Sequence, residues 1–182
     1  MTMNRLLGVG VLCMGIVMVA APAQAQVEVS AGYNFLHIDV TEDEPDDLAN
    51  FPLGWYADVS ASIVPTIGLV GQITGNYKTV DDDGFEVDTK IHTFMGGIRA
   101  GGGAAGVRPF GQVLFGVAHA KFTADQFDLE ESSSDPALQF GAGVNVMSGA
   151  VGLRLGGDYI RVFSEDEGTN VFRFGIGIVF GN

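Results

Sequence analysis

Cysteine is almost absent from this 182-residue chain: the single one is Cys13. Cationic side chains are scarce too, nine Lys and Arg against 22 Asp and Glu, for a formal net charge of −13. Helical periodicity is missing: no window of a dozen residues keeps an apolar period of 3.6, and 27 glycines are spread throughout. Each shortage removes a class of explanation. Phosphate-backbone recognition needs clustered Lys and Arg, so nucleic acid is not an expected partner. A helical bundle has no amphipathic stripe to build on. Long apolar runs are lacking as well. The longest charge-free one, LLGVGVLCMGIVMVAA (residues 6–21), is about 16 residues, short of the roughly 20 that a membrane-crossing helix needs.

Arg5 precedes that run, and small residues at Ala23 and Ala25 follow it, an A-x-A site with cleavage before Gln26. A basic start, a short apolar centre and a small-residue exit make residues 1–25 a secretory signal peptide. A single anchoring helix is the alternative, and its shortness counts against it. Removal of the leader takes Cys13 and Arg5 with it, so residues 26–182 carry no thiol and the formal charge passes from −13 to −14. Disulfides, thiol catalysis and cysteine-ligated metals are thereby excluded.

What the remainder does contain is a period of two. It appears eight times, at residues 27–37, 53–63, 69–79, 89–101, 107–122, 136–146, 151–163 and 171–181. Most of these stretches are near the roughly 9–11 residues that a tilted strand needs to cross a bilayer. The connections 64–68, 102–106 and 147–150 are short, whereas 38–52, 80–88, 123–135 and 164–170 are mostly longer and polar. Eight antiparallel strands in hairpin succession, with both termini at the short-turn end, are the expected topology.

Sorting each strand by parity separates two chemistries. One face gathers residues such as Val27, Tyr33, Trp55, Leu69, Ile73, Phe94, Phe115, Phe140, Leu153 and Tyr159, and 11 of the 18 aromatics. The other gathers Ser30, Asn34, Tyr56, Gln72, Thr74, Gln112, Gln139, Asn145 and many glycines, together with the charged Glu28, Asp58, Arg99, Arg108, Arg154, Asp158 and Arg173. A soluble container would enclose the apolar face, but an eight-stranded interior holds only a single layer of side chains or one small ligand. The apolar face therefore turns outward to lipid, and the closed barrel satisfies its own backbone groups as hydrocarbon requires. The carboxylates agree: 19 of 22 fall in the four polar connections, and the other three, Glu28, Asp58 and Asp158, have lumen parity.

With its leader, eight alternating segments and aromatic-rich final strand, the chain resembles the small outer-membrane β-barrel family, the OmpA- and OmpX-like group with opacity- and porin-type barrel domains. The resemblance covers residues 26–182, is architectural rather than motif-based, and implies an all-β, eight-stranded up-and-down transmembrane barrel in the cell outer membrane. It implies recognition by the outer-membrane assembly machinery through the last strand, Phe172, Phe174, Ile176, Ile178 and Phe180. In this chain Gly181 and Asn182 follow the final aromatic. No peptidoglycan-binding domain is expected after the barrel.

The enclosed charges admit two readings, a conduction path or a packed plug of ion pairs; the narrow bore of eight strands favours the plug. VDDDGFEVD (80–88) resembles a calcium loop, but aligning Gly84 with the invariant glycine puts Thr79 and Lys90 at ligand positions, and the match fails. His37, His92 and His119 have no metal-ligand spacing, and His119 with Ser132–Ser134 does not make a recognisable catalytic group. Trp55, Tyr77, Phe35 and Tyr159 read as an interfacial girdle. The expected function is a monomeric, non-enzymatic barrel with acidic surface loops and a structural or surface-interaction role. A narrow diffusion channel comes second and a lipid-modifying enzyme third. Expected partners are the bilayer with its lipopolysaccharide, the assembly machinery, and divalent cations or a surface partner at the acidic loops. No cofactor, metal or catalytic residue is assigned.

Overall fold

β-branched and aromatic residues alternating with small and polar ones form strands at every place the period of two marks. The structure, a computed structural model, describes residues 26–39, 50–82, 85–103, 105–124, 129–164 and 168–181. Its strands are β1 (Val27–Asp39), β2 (Asn50–Phe51), β3 (Leu53–Val64), β4 (Ile67–Asp82), β5 (Phe85–Gly101), β6 (Val107–Ala124), β7 (Leu129–Ser148), β8 (Val151–Phe163) and β9 (Gly168–Gly181). β2 pairs with β1 through Leu36↔Phe51 and is separated from β3 by Pro52, which has no N–H to give the ladder. β2 and β3 therefore act as one stave. Neighbours in sequence pair antiparallel around the sheet, and β9 returns to β1 from Glu28↔Gly181 to Asp39↔Asn170. The result is a closed eight-stranded up-and-down barrel.

The short-turn end is built as hairpin sterics demand. Gly149 carries φ 67° at the first of the two residues between β7 and β8, where a type II′ turn needs glycine. At the other end the strands run further than the polarity pattern indicates. Residues 80–88 and 123–135, expected as loops, are mostly ladder, with Asp81↔Glu86, Thr79↔Asp88, Phe122↔Glu131 and Ala118↔Asp135 in register. Asp39, Asp82 and Glu130 likewise lie on strand backbone rather than in loops. Beyond the hydrocarbon both faces of a strand meet water, so the alternation of polarity fades while backbone pairing continues. The leader (1–25), Glu42, Asp43, Glu44, Asp46, Asp47, Asp83, Asp125, Asp128, Glu165, Asp166 and Glu167 lie outside the described residues.

The apolar face points outward: Phe115 is 64% exposed, Phe174 61% and Leu69 56%. Ser30, Asn34, Asp58, Gln72, Arg99, Arg154 and Arg173 are buried within. One feature of the interior differs from the expected all-polar filling. Leu36, Phe51, Val70, Met95, Leu114, Ala118, Ala137, Ile160 and Val171 also point inward and pack into one buried apolar cluster. Phe51, placed in a connection by the sequence reading, is thus a third inward aromatic beside Tyr56 and Phe110, with Lys78 Nζ 5.5 Å from its ring centroid. Two glycines make room for the other two. A Cβ at Gly177 would collide with Tyr56 Oη, and one at Gly143 would meet the Phe110 ring.

Candidate functional site in the barrel lumen

Inward parity on four strands, β1, β3, β5 and β8, converges at Asp58. Its carboxylate accepts hydrogen bonds from Ser30 Oγ (2.8 Å), Arg99 Nη1 (3.1 Å) and Arg154 Nη1 (2.8 and 2.6 Å). Arg154 also pairs with Glu28, and its Nε donates to Asn145 Oδ1 at 2.8 Å. Arg99 lies 3.7 Å from Glu28 and donates from Nε and Nη2 to Gln112 Oε1 at 3.0 and 2.8 Å. Both guanidinium groups stack on Phe110, at 4.7 and 4.9 Å from its centroid. Such sharing lets two arginines approach one another in the buried interior, because two carboxylates, an aromatic face and amide oxygens meet them from several sides.

A second centre lies higher, at Asp158. Arg173, its direct cross-strand partner, donates from Nε and Nη2 to Asp158 Oδ2 at 3.1 and 2.8 Å. Gln112 and Gln139 donate to Asp158 Oδ1 at 3.0 and 2.8 Å, and Gln72 accepts from Arg173 at 2.6 Å and from Gln139 at 3.1 Å. Gln112 thus bonds to both centres and joins them into one network. The amides were not among the expected site residues. They carry no charge to attract notice, and inward parity is the only signal the sequence offers for them.

Outward of this network stands the apolar cluster. Leu114 follows Gln112 by one inward step on β6, Ile160 follows Asp158 on β8, and Val171 and Ala137 stand just outward of Arg173 and Gln139. The cavity lined by Asn34, Tyr56, Asp58, Phe110 and Arg173 is about 30 Å³, room for a water or two. Arg108 stands apart from the other six charged lumen residues. It lines a vestibule of about 280 Å³ at the short-turn mouth, whose lining also includes Glu28, Ser60 and Arg99, and forms no ion pair among the described residues.

A model of the outer membrane protein β-barrel domain matches residues 9–180. The chain belongs to the outer-membrane β-barrel family. Solved structures agree on the fold. The barrel resembles Neisserial surface protein A (TM-score 0.63, 12% identity, covering 86% of this chain and 96% of that one). It also resembles the attachment invasion locus protein Ail of Yersinia pestis, solved with the heparin analogue sucrose octasulfate (0.56, 17%, 87% and 97%). A major outer membrane protein of Thermus thermophilus is similar too (0.55, 14%, 87% and 100%). No curated protein matches the chain.

In this outer-membrane barrel the outward residues of β9, Phe172, Phe174, Ile176, Ile178 and Phe180, are 41–61% exposed and form one lipid-facing row beside β1. At the far end of the lipid-facing surface, Trp55 Nε1 donates to Tyr77 Oη at 3.1 Å, and Tyr77 Oη lies 3.3 Å from His92 Nε2. The indole lies over Gly75, where a Cβ would come within 2.6 Å of Nε1. Gly75→Ala is expected to dislodge Trp55 from Tyr77 and move the emission of the chain's single tryptophan, at a cost of about 1 kcal/mol; fluorescence and urea unfolding of the folded variant check both. His119 Nδ1 is 2.8 Å from Ser134 Oγ, a contact the sequence reading did not place. Among the described residues no carboxylate is hydrogen-bonded to His119.

Proposed function

We propose that this outer-membrane barrel is a non-conducting structural and surface-interaction protein. The observation that carries the reading is the doubly filled lumen: a continuous ion-pair and amide network, capped by a buried apolar cluster. An ion crossing it would have to break charge-assisted hydrogen bonds and then pass Leu114, Ile160 and Met95 without water. In this reading residues 1–25 are the export leader, removed before Gln26. The exposed row of β9 engages the assembly machinery, and the protein is a monomer in contact with lipopolysaccharide. The extended strand ends and the acidic stretches beyond them face the exterior, where divalent cations or a surface partner meet them. The formal charge, −13 for the whole chain and −14 without residues 1–25, disfavours a sulfated polyanion at those tips.

Planar-bilayer recording tests the reading. The wild type is expected to insert without discrete conductance steps. Arg173→Gln is expected to lower unfolding stability while conductance stays at baseline, because the apolar cluster remains in place. Steady steps from wild type, or a large conductance from Arg173→Gln with unchanged heat-modifiable gel mobility, would replace this reading by a narrow diffusion channel.

A further inference from the structure

The outward face of β5 and β6 brings together two of the chain's three histidines. His92 on β5 stands directly opposite His119 on β6, in a cross-strand row that begins at Trp55 on β3 and ends at Ser134 on β7. The row on its inner side, Ala57, Ile73, Phe94, Val117 and Pro136, is wholly apolar. The pair thus lies where the lipid-facing surface gives way to water. Sequence spacing hid it, because only the register of one hairpin joins the two residues. Directly opposed residues of an antiparallel pair have Cβ atoms about 5 Å apart. At that separation each imidazole can turn one nitrogen to a common point about 2 Å away, the length of a bond from imidazole nitrogen to a metal ion such as zinc.

The other nitrogen of each ring is already committed. His119 Nδ1 lies 2.8 Å from Ser134 Oγ, and His92 Nε2 lies 3.3 Å from Tyr77 Oη. Tyr77 Oη in turn accepts from Trp55 Nε1 at 3.1 Å, and the Tyr77 ring meets His92 edge-on at 5.6 Å and 78°. These contacts fix how each imidazole is turned. They leave His92 Nδ1 and His119 Nε2 outside any hydrogen bond among the described residues. An imidazole held at one nitrogen and open at the other is the arrangement that metal-ligating histidines have, since the outer contact sets both tautomer and ring orientation. His37, the third histidine, is on β1, which pairs with neither β5 nor β6, and its Nδ1 lies 2.8 Å from Asn50 Oδ1.

The surroundings decide which ion fits. Charge does not draw a cation here, because Lys90 and Lys121 occupy the next row outward, Lys90 pairing with Asp88 at 3.6 Å. Among the described residues no third His, Cys, Asp or Glu completes a group of three with the pair. Ca²⁺ and Mg²⁺ need several carboxylate or carbonyl oxygens and find no such set at the two rings. An ion held by directional bonds to nitrogen does find its ligands, and among divalent first-row metals Cu²⁺ forms the strongest of these bonds, with Zn²⁺ behind it. We propose that His92 and His119 form a two-imidazole site for a divalent transition-metal ion, Cu²⁺ ahead of Zn²⁺, at the outer rim of the barrel. His92 binds through Nδ1 and His119 through Nε2, while Tyr77 and Ser134 accept from the remaining ring nitrogens. Water fills the other coordination positions, so the ion is exchangeable rather than structural. The site is separate from the acidic stretches and does not depend on whether the lumen conducts.

The test uses the full chain without a polyhistidine tag, folded in phosphatidylcholine nanodiscs, with excess Ca²⁺ and Mg²⁺ present to occupy carboxylates. Copper(II) chloride is added while Trp55 emission is followed, because Trp55 is linked to His92 through Tyr77. Saturable quenching is expected, reversed by Zn²⁺ only at higher concentration. Electron paramagnetic resonance of the bound Cu²⁺ is expected to show coupling to two imidazole nitrogens. His92→Gln and His119→Gln should each weaken binding by at least the roughly 10–100-fold that loss of an outer hydrogen-bond partner costs, and Ser134→Ala by about tenfold. His37→Gln should leave binding unchanged. Undiminished quenching in His92→Gln/His119→Gln, an equal loss in His37→Gln, or a resonance showing oxygen donors alone overturns the proposal. The resonance is read on the wild type, so it decides the matter even where a variant fails to give the heat-modifiable folded band.

Discussion

Asp58→Ala is expected to destabilise the folded barrel by about 3–5 kcal/mol, because it removes the shared partner of two buried arginines. Its carboxylate is 1% exposed and receives Arg99, Arg154 and Ser30. Without it Arg154 keeps Glu28, Asn145 and Ser30, whereas Arg99 keeps the longer 3.7 Å contact with Glu28, the amide of Gln112 and the face of Phe110. The uncompensated charge, more than the lost attraction, causes the damage. Urea unfolding in bilayers, with heat-modifiable gel mobility as a second readout, measures the loss. A second substitution, Arg99→Met, should recover part of it, giving a coupling energy of opposite sign to the single effects. A variant within about 1 kcal/mol of wild type would remove Asp58 from the centre of the network, since surface-like substitutions lie in that range.

Phe115→Arg is expected to cost about 2–4 kcal/mol in a bilayer, whereas Phe163→Arg costs about 0–1 kcal/mol. Both side chains face outward, Phe115 at 64% exposure midway along β6 and Phe163 at 47% at the outer end of β8. The gap between them measures depth: an arginine at mid-barrel meets acyl chains, and one at the rim reaches headgroups with its long stem. Equal stability of the two variants would mean that lipid does not surround the mid-barrel, and the outward-facing orientation would fail with it.

The fold was open to reading because one alternation encodes several facts at once. Trp55, Ala57 and Val59 against Tyr56, Asp58 and Ser60 give strand, face and environment together. Strand ends were hidden for the converse reason: the sequence through Asp81, Glu86 and Glu131 is polar without alternation, so nothing in residue polarity distinguishes a ladder from a loop. The charged residues of the lumen could be chosen from parity, and the Asp158↔Arg173 contact follows from hairpin register. The link from Asp58 to Arg99 could not, because those residues lie 41 positions apart on strands that are not neighbours, and only the barrel's curvature brings them across the bore. Leu114, Ile160 and Val171 were passed over because an apolar residue on the polar parity looks like noise until its neighbours across the lumen prove to be apolar too.

Residues 27–39 find their second neighbour only in 168–181, at the opposite extremity of the chain. During synthesis the earliest strand must therefore wait, one border unsatisfied, until the latest has emerged. Cylindrical structure cannot accumulate piecemeal from the N-terminus, and until closure the unpaired border is open to sticking to its copies. Proteolytic loss of the terminal dozen or so residues would not shorten the cylinder but unroll it, leaving two raw borders where there had been none.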